Sequence, residues 1–174
     1  MKIKLLAALT LFACIGFTQQ ARALNQQDLE QLKTARNCAR CDLSGADLSQ
    51  MNLAGVNLRE ANLKGATLNQ ANLSGADLTG ADLEAASLNS ANLSGASLTG
   101  AILKSASLEN ADLTFAGLIS ANLEAANLRG ARLRLTNFRA ANFRLTTMPD
   151  GVVTSDKPFG WSLQQGQPER TPRK

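Results

Sequence analysis

Residues 61–80 read Ala61-Asn62-Leu63-Lys64-Gly65, Ala66-Thr67-Leu68-Asn69-Gln70, Ala71-Asn72-Leu73-Ser74-Gly75 and Ala76-Asp77-Leu78-Thr79-Gly80. The same form, Ala-(Asn/Asp)-Leu-x-Gly, continues in both directions without a break from Cys41 to Leu145, 21 pentapeptides in all. The central position is Leu in 19 of them and Phe in the last two, Phe138 and Phe143. The position two before it is Ala in 17, the exceptions being Cys41, Met51, Val56 and Thr136. A register held this long decides the architecture before any local propensity is consulted.

A period of five suits neither regular element. On an α-helix five residues advance the azimuth by roughly 140°, so the leucines would spiral around the rod and form no stripe. On a straight strand an odd period throws successive leucines to opposite faces. The leucines share one environment only if the backbone turns a corner in every repeat. The expected result is a coil with Leu and Ala inside and the other three positions outside, with glycines such as Gly45, Gly65, Gly75 and Gly95 at the corners.

Composition agrees and removes whole classes of function. Aromatic residues make up 4% of the 174-residue chain and His and Tyr are absent, so small and medium aliphatic side chains must fill the core. Without His, Ser-His-Asp and Cys-His nucleophilic catalysis is excluded. No phosphate-binding Gly-rich loop with its Lys, no Gly-x-Ser-x-Gly elbow and no paired carboxylates outside the repeat register occur. The chain reads as a non-enzyme with no catalytic residue, no cofactor-binding residue and no cofactor.

Charge is distributed unevenly. Residues 41–128 hold nine acids against three bases (Arg59, Lys64, Lys104), whereas 129–145 hold five arginines and no acid. That pattern does not suit a uniformly basic nucleic-acid binder, and no nucleic-acid partner is expected.

The flanks are different in kind. Met1 to Ala23 runs Lys2, Lys4, an apolar stretch from Leu5 to Phe17, then Ala21-Arg22-Ala23. This is the order of a secretory signal, too short to span a bilayer, so the mature protein is expected to start near Leu24 and to carry no integral membrane segment. Lipidation at Cys14 and an uncleaved anchor are the alternatives. Residues 24–40 are expected to form a capping helix and linker, with Asn25 as N-cap and Leu29 and Leu32 on one face over the N-terminal opening. At the far end Phe138 and Phe143, with Leu135 and Leu145, are expected to fill the last coil before Met148-Pro149-Asp150-Gly151 turns the chain out. Residues 146–174 complete the chain, and the tail from Val152, with Pro158, Pro168 and Pro172, reads as extended or disordered.

The iterated pentapeptide resembles the pentapeptide repeat family over about 105 of the 174 residues. The resemblance implies an all-β solenoid, a right-handed quadrilateral β-helix with four pentapeptides per coil. One feature of this chain supports that count: every twentieth residue gives Lys64, Glu84, Lys104, Glu124 and Arg144, a column of alternating sign. Glu109 and Arg129, and Asp112 and Arg132, have the same spacing. Stacked about 4.8 Å apart, these are ladder pairs worth roughly 0–1 kcal/mol each. The column Asn52, Asn72, Asn92 reads as stacked amides on a solvated face.

Some family members inhibit DNA gyrase by mimicking DNA, which needs a continuous acidic face and a cytoplasmic location. Here the four columns would hold four, two, one and two acids, and the richest is interleaved with Lys64, Lys104 and Arg144. The order of signal, helix, Cys-x-x-Cys-Asp-Leu-Ser-Gly-Ala, long repeat run and Met-Pro-Asp-Gly exit is similar to exported pentapeptide proteins of cyanobacteria. That likeness implies the periplasm or thylakoid lumen, with another envelope or lumenal protein as partner. It leaves the oligomeric state open.

Two constellations remain. Export leaves Cys38 and Cys41, too few for a zinc site, so no metal is expected. They form a structural disulfide tying the cap helix to the first coil, a redox pair whose pKa Arg36 and Arg40 lower, or thiols that are unpaired or bridge two molecules. Among the arginines, Arg134 and Arg139 lack an acid 20 residues earlier, which makes them the candidate partner contact of a non-catalytic scaffold or protein-interaction module.

Overall fold

The computed structural model describes residues 26–154. All 19 parallel bridges join residues 20 apart, from Asn37 with Asn57 to Asn127 with Thr147, so four pentapeptides complete one coil. Successive parallel strands wind with the right-handed sense that twisted backbone favours. The chain is a right-handed quadrilateral β-helix. The same pattern continues into 36–40 and 146–150, one pentapeptide beyond the Leu- and Phe-centred run at each end, because Cys38 and Met148 take the central position there. Twenty-three pentapeptides therefore make five and three-quarter coils, a rod about 28 Å long at the usual strand spacing. The four faces are named here for the central residues Leu43, Leu48, Leu53 and Leu58.

Each residue of the pentapeptide has its own bonding task. In the repeat centred on Leu63, the central amide and the corner amide of Gly65 donate to carbonyls of the next coil, Asp82 at 2.7 Å and Glu84 at 2.9 Å. The Asn62 amide donates back to the preceding coil, to Cys41 O at 2.9 Å, and the Ala66 amide closes the turn onto Leu63 O at 3.0 Å. Only the Lys64 amide has no backbone partner, and Asn62 Oδ1 accepts it at 3.2 Å. Asp77 does the same for Thr79 and Asn92 for Ser94, each at 3.0 Å. The Asn/Asp preference of the second position is thus an Asx turn that completes the accounting of backbone donors.

Corners carry the strain. Every fifth residue from Arg40 to Leu145 has φ between +55° and +69°, although only eight of them are Gly. Within the lumen, the central leucines from Leu58 to Leu128 are 0% exposed and the alanines beside them 0–1%.

The ends are closed by different means. Helix α1, 26–35, stops at Arg36, whose φ of +52° is a left-handed cap. Leu32, 1% exposed, enters the core and Leu29 packs against it. The helix also serves the N-terminal edge of the first coil: Asp28 Oδ2 accepts from the Asp42 amide at 2.7 Å and Gln31 Nε2 donates to Asn37 O at 2.9 Å. Arg36 reaches Ala54 O. Asn25 and the signal-like segment 1–23 lie outside the described residues, as does the tail from residue 155.

At the other end two expectations are corrected. Leu135 and Leu145 do not fill the last coil; each is 52% exposed, because each stands at a corner, which points outward. Phe138 and Phe143 do fill it, edge to face with centroids 5.1 Å apart. Nor does the chain turn out at Gly151. It folds back, and Val153 pairs antiparallel with Thr147. Val152 O and Thr154 O then accept the Met148 and Leu145 amides, each at 2.8 Å, as a further coil would.

Truncating Leu88 to Ala should lower the unfolding free energy by about 2–5 kcal/mol in urea titration, since a lumen walled by stacked coils cannot collapse onto the void. Gly65→Ala has open space for its Cβ and should cost about 1 kcal/mol through φ alone. Ala125→Gly at an equivalent corner should not lower stability.

Candidate docking surface and disulfide

The charge columns are built by the 20-residue register. Lys64 bonds Glu84 at 2.5 Å and Arg144 bonds Glu124 at 2.9 Å on the Leu43 face. Arg132 stands 3.7 Å from Asp112 on the Leu53 face. Glu109 and Arg129 make no ion pair among the described residues, although their spacing is the same. Two pairs fall outside the pattern read from the sequence. Arg40 and Glu60, 2.7 Å apart, have the 20-residue spacing but begin before the Leu-centred run. Arg59 and Asp77, 3.1 Å apart, are 18 residues apart. Thr79 with Ser97 and Asn69 with Ser87 have that offset too. A residue just after the centre therefore reaches the one just before the centre in the next coil, a diagonal that a strict period of 20 hides. Asn72 and Asn92 donate to the amide oxygen of the coil before, at 3.2 and 3.4 Å, as stacked amides should.

Several carboxyls sit below their ordinary range. Glu84 is held down chiefly by its hydrogen bond to Lys64, with that lysine's charge and a smaller contribution from Lys104. Glu60 is lowered in the same way by Arg40. In Asp112 the hydrogen bonds from Thr114 lead, helped by Arg132. Partial burial of Asp77 opposes ionisation most strongly, yet the bonds from Thr79 and the charge of Arg59 together outweigh it.

Cys38 and Cys41 are joined by a disulfide. Its place differs from the expected tie between helix and coil. Cys38 occupies a central position and Cys41 the neighbouring Ala position, so the bridge spans one corner inside the lumen, with the two residues 0% and 4% exposed. The helix touches it, Cys38 Sγ lying 3.2 Å from Asp28 O.

Arg134 and Arg139 are exposed on adjacent faces of the last coil and have no ion pair among the described residues. Beside them the corner column Gly55, Gly75, Gly95, Phe115, Leu135 changes from glycine to bulky apolar residues. Phe115 is 61% exposed. The sequence signal for this patch was an apolar side chain at a position otherwise given to Gly. Among the described residues no cluster of His, Cys, Asp and Glu could hold a metal, and no helix is long and apolar enough to cross a membrane.

This lumen, with its inward Leu and Ala, Asx second position and left-handed corner, defines a class of solenoid. The family model for pentapeptide repeats matches residues 37–75, 76–114 and 116–148, and the chain belongs to the pentapeptide repeat family. It is similar to the pentapeptide repeat protein Rfr23 of the cyanobacterium Cyanothece 51142, at 33% identity over 67% of this chain and 92% of that one, with a TM-score of 0.65. It is also similar to a trypsin-treated form of QnrB1, a plasmid-mediated fluoroquinolone resistance protein. There the identity is 27% over 64% of this chain and 59% of that one, with a TM-score of 0.53. No curated protein matches the chain in sequence.

Because the folded-state carboxyls are depressed, their contribution to stability is complete above the unfolded values near 4 and is lost as pH falls through the lower folded values. The thermal midpoint should therefore drop as pH falls below about 4. Asp77→Asn with Asp112→Asn keeps both Asx turns, removes two titrating groups and should flatten that drop. Unreduced mass spectrometry should find the chain about two hydrogens below its dithiol form. Cys38→Ser should loosen α1 while the coils stay folded, because a loop this short restricts the unfolded chain little.

Proposed function

We propose that the protein is a non-catalytic, exported β-helical scaffold that docks another protein of the envelope or lumen. The observation that carries this reading is the C-terminal coil, where Arg134 and Arg139, with no ion pair among the described residues, flank exposed Leu135, and exposed Phe115 lies one coil below. Exposed apolar side chains rimmed by charge mark protein contacts. The signal-like order of residues 1–23 and the disulfide support an oxidising, extracytoplasmic compartment.

Burial of both cysteines favours a structural bridge over an exchanging redox pair, since exchange needs an accessible sulfur. DNA mimicry is disfavoured by the interleaving on the Leu43 face, where Glu84 lies between Lys64 and Lys104 and Glu124 is paired with Arg144.

Affinity capture with crosslinking from the native compartment should return a reproducible partner. Replacing Arg134 and Arg139 together by Ala should weaken that association in a salt-sensitive way and leave thermal stability nearly unchanged. Equal loss on replacing Lys64 and Lys104 would show that the arginine pair is not a distinct contact.

A further inference from the structure

The two ends of the rod differ in how their ladder groups are satisfied. In every interior coil the central and corner amides donate to the coil that follows. In the last coil that duty falls on eight amides, two per face. The returning segment 152–154 answers those of Leu145 and Met148, one on each of the Leu43 and Leu48 faces, while the amides of Phe143 and Asp150 on those faces have no backbone acceptor among the described residues. On the Leu53 and Leu58 faces nothing answers: the amides of Leu133, Leu135, Phe138 and Ala140 have no backbone acceptor among the described residues, and Ala131 O and Thr136 O have no backbone donor. Among the described residues these two faces present an open strand edge, aligned to pair with another strand.

The cover is incomplete there too. Ala131, Leu133, Thr136 and Phe138 are 7–8% exposed, whereas their counterparts one coil below, Ala111, Leu113, Ala116 and Leu118, are 0–1%. Leu135 stands at the corner between the two faces with Phe115 directly beneath it. The edge is flanked by Arg134 and Arg139, each immediately after a central residue, the position from which side chains of neighbouring coils pair in the Leu43 ladder.

Resting on the docking reading above, we propose that this mouth takes an extended acidic segment of a partner protein, added as the next strand of the helix over the Leu53 and Leu58 faces. Main-chain bonds to the four amides would supply affinity, and carboxylates opposite Arg134 and Arg139 would select the partner, which is how strand addition divides those tasks. Charge excludes the nearer candidates. A second copy joined mouth to mouth would bring Arg134 and Arg139 against their own equivalents. Residues 155–174 taken together contain four bases (Lys157, Arg170, Arg173, Lys174) against two acids, so the chain's own tail carries the same net sign as the two arginines.

A suitable probe is the pentapeptide itself. A labelled ten-residue peptide, Ala-Asp-Leu-Glu-Gly twice, is long enough for two faces; Ala-Asn-Leu-Lys-Gly twice is its basic control. With the full chain, the acidic peptide should bind saturably in fluorescence anisotropy and the control about tenfold more weakly. Hydrogen exchange should slow at Leu133, Leu135, Phe138 and Ala140 and stay unchanged at Leu145 and Met148. Arg134→Glu with Arg139→Glu should invert the preference, which a merely destabilised mouth would not do. Binding without protection of those four amides would overturn strand addition while leaving the arginine contact standing. Absence of saturable binding, equal binding of the control, or protection of the amides by self-association or by the peptide-free chain would overturn the proposal. So would protection by an oligothymidine in place of the peptide.

Discussion

Everything in this molecule depends on a left-handed residue at every fifth position. A positive φ there swings the backbone through a corner, so the next Ala-x-Leu segment again points its two apolar side chains inward. Fourteen of the 22 corners from Arg40 to Leu145 are occupied by residues other than Gly, each at a local cost of about 1 kcal/mol or more. They are held there because every coil is bonded above and below, and one relaxed corner would take its ladder out of register. Local strain is over-determined by the stack, which is also why the polar second position is an amide or carboxylate that can accept the one amide the ladder leaves over.

The stack has a direction, and its ends therefore pose different problems. At the start, edge groups are met by side chains of α1, with Asp28 and Gln31 standing where a preceding coil would be, and Leu32 covers the lumen. At the finish, the only cover among the described residues is a short reversal that meets one amide on each of two faces. The basic residues cluster at this end and not along the shaft. Most cations of the shaft have an acid partner and Arg134 and Arg139 have none among the described residues, and this contrast underlies the docking reading proposed above.

Much of this was legible in the residues. Apolar side chains at positions 1 and 3 of each pentapeptide, the corner, and the Lys64 to Arg144 column all follow from a strict period, because each is a local property repeated. The outward placement of Leu135 and Leu145 was equally available from that period, but their hydrophobicity suggested core; the corner's direction overrides side-chain preference. Cys38 and Met148 were hidden for the opposite reason, since neither looks like Leu although each fills its place. The Arg59 to Asp77 contact was missed because it runs diagonally between coils.

The sequence by itself determined a five-residue turn unit with a buried Leu and Ala, and so a solenoid, because bond rotations within five residues decide which side chains share a face. Tertiary structure alone decided that the disulfide lies within the lumen, that the chain reverses at Gly151, and that two faces of the last coil find no strand partner among the described residues. Those features depend on hydrogen bonds between residues 20 apart and on what the chain offers beyond the last repeat. A local pattern repeats identically whether or not another coil follows, so it cannot say where the ladder finds its last partner.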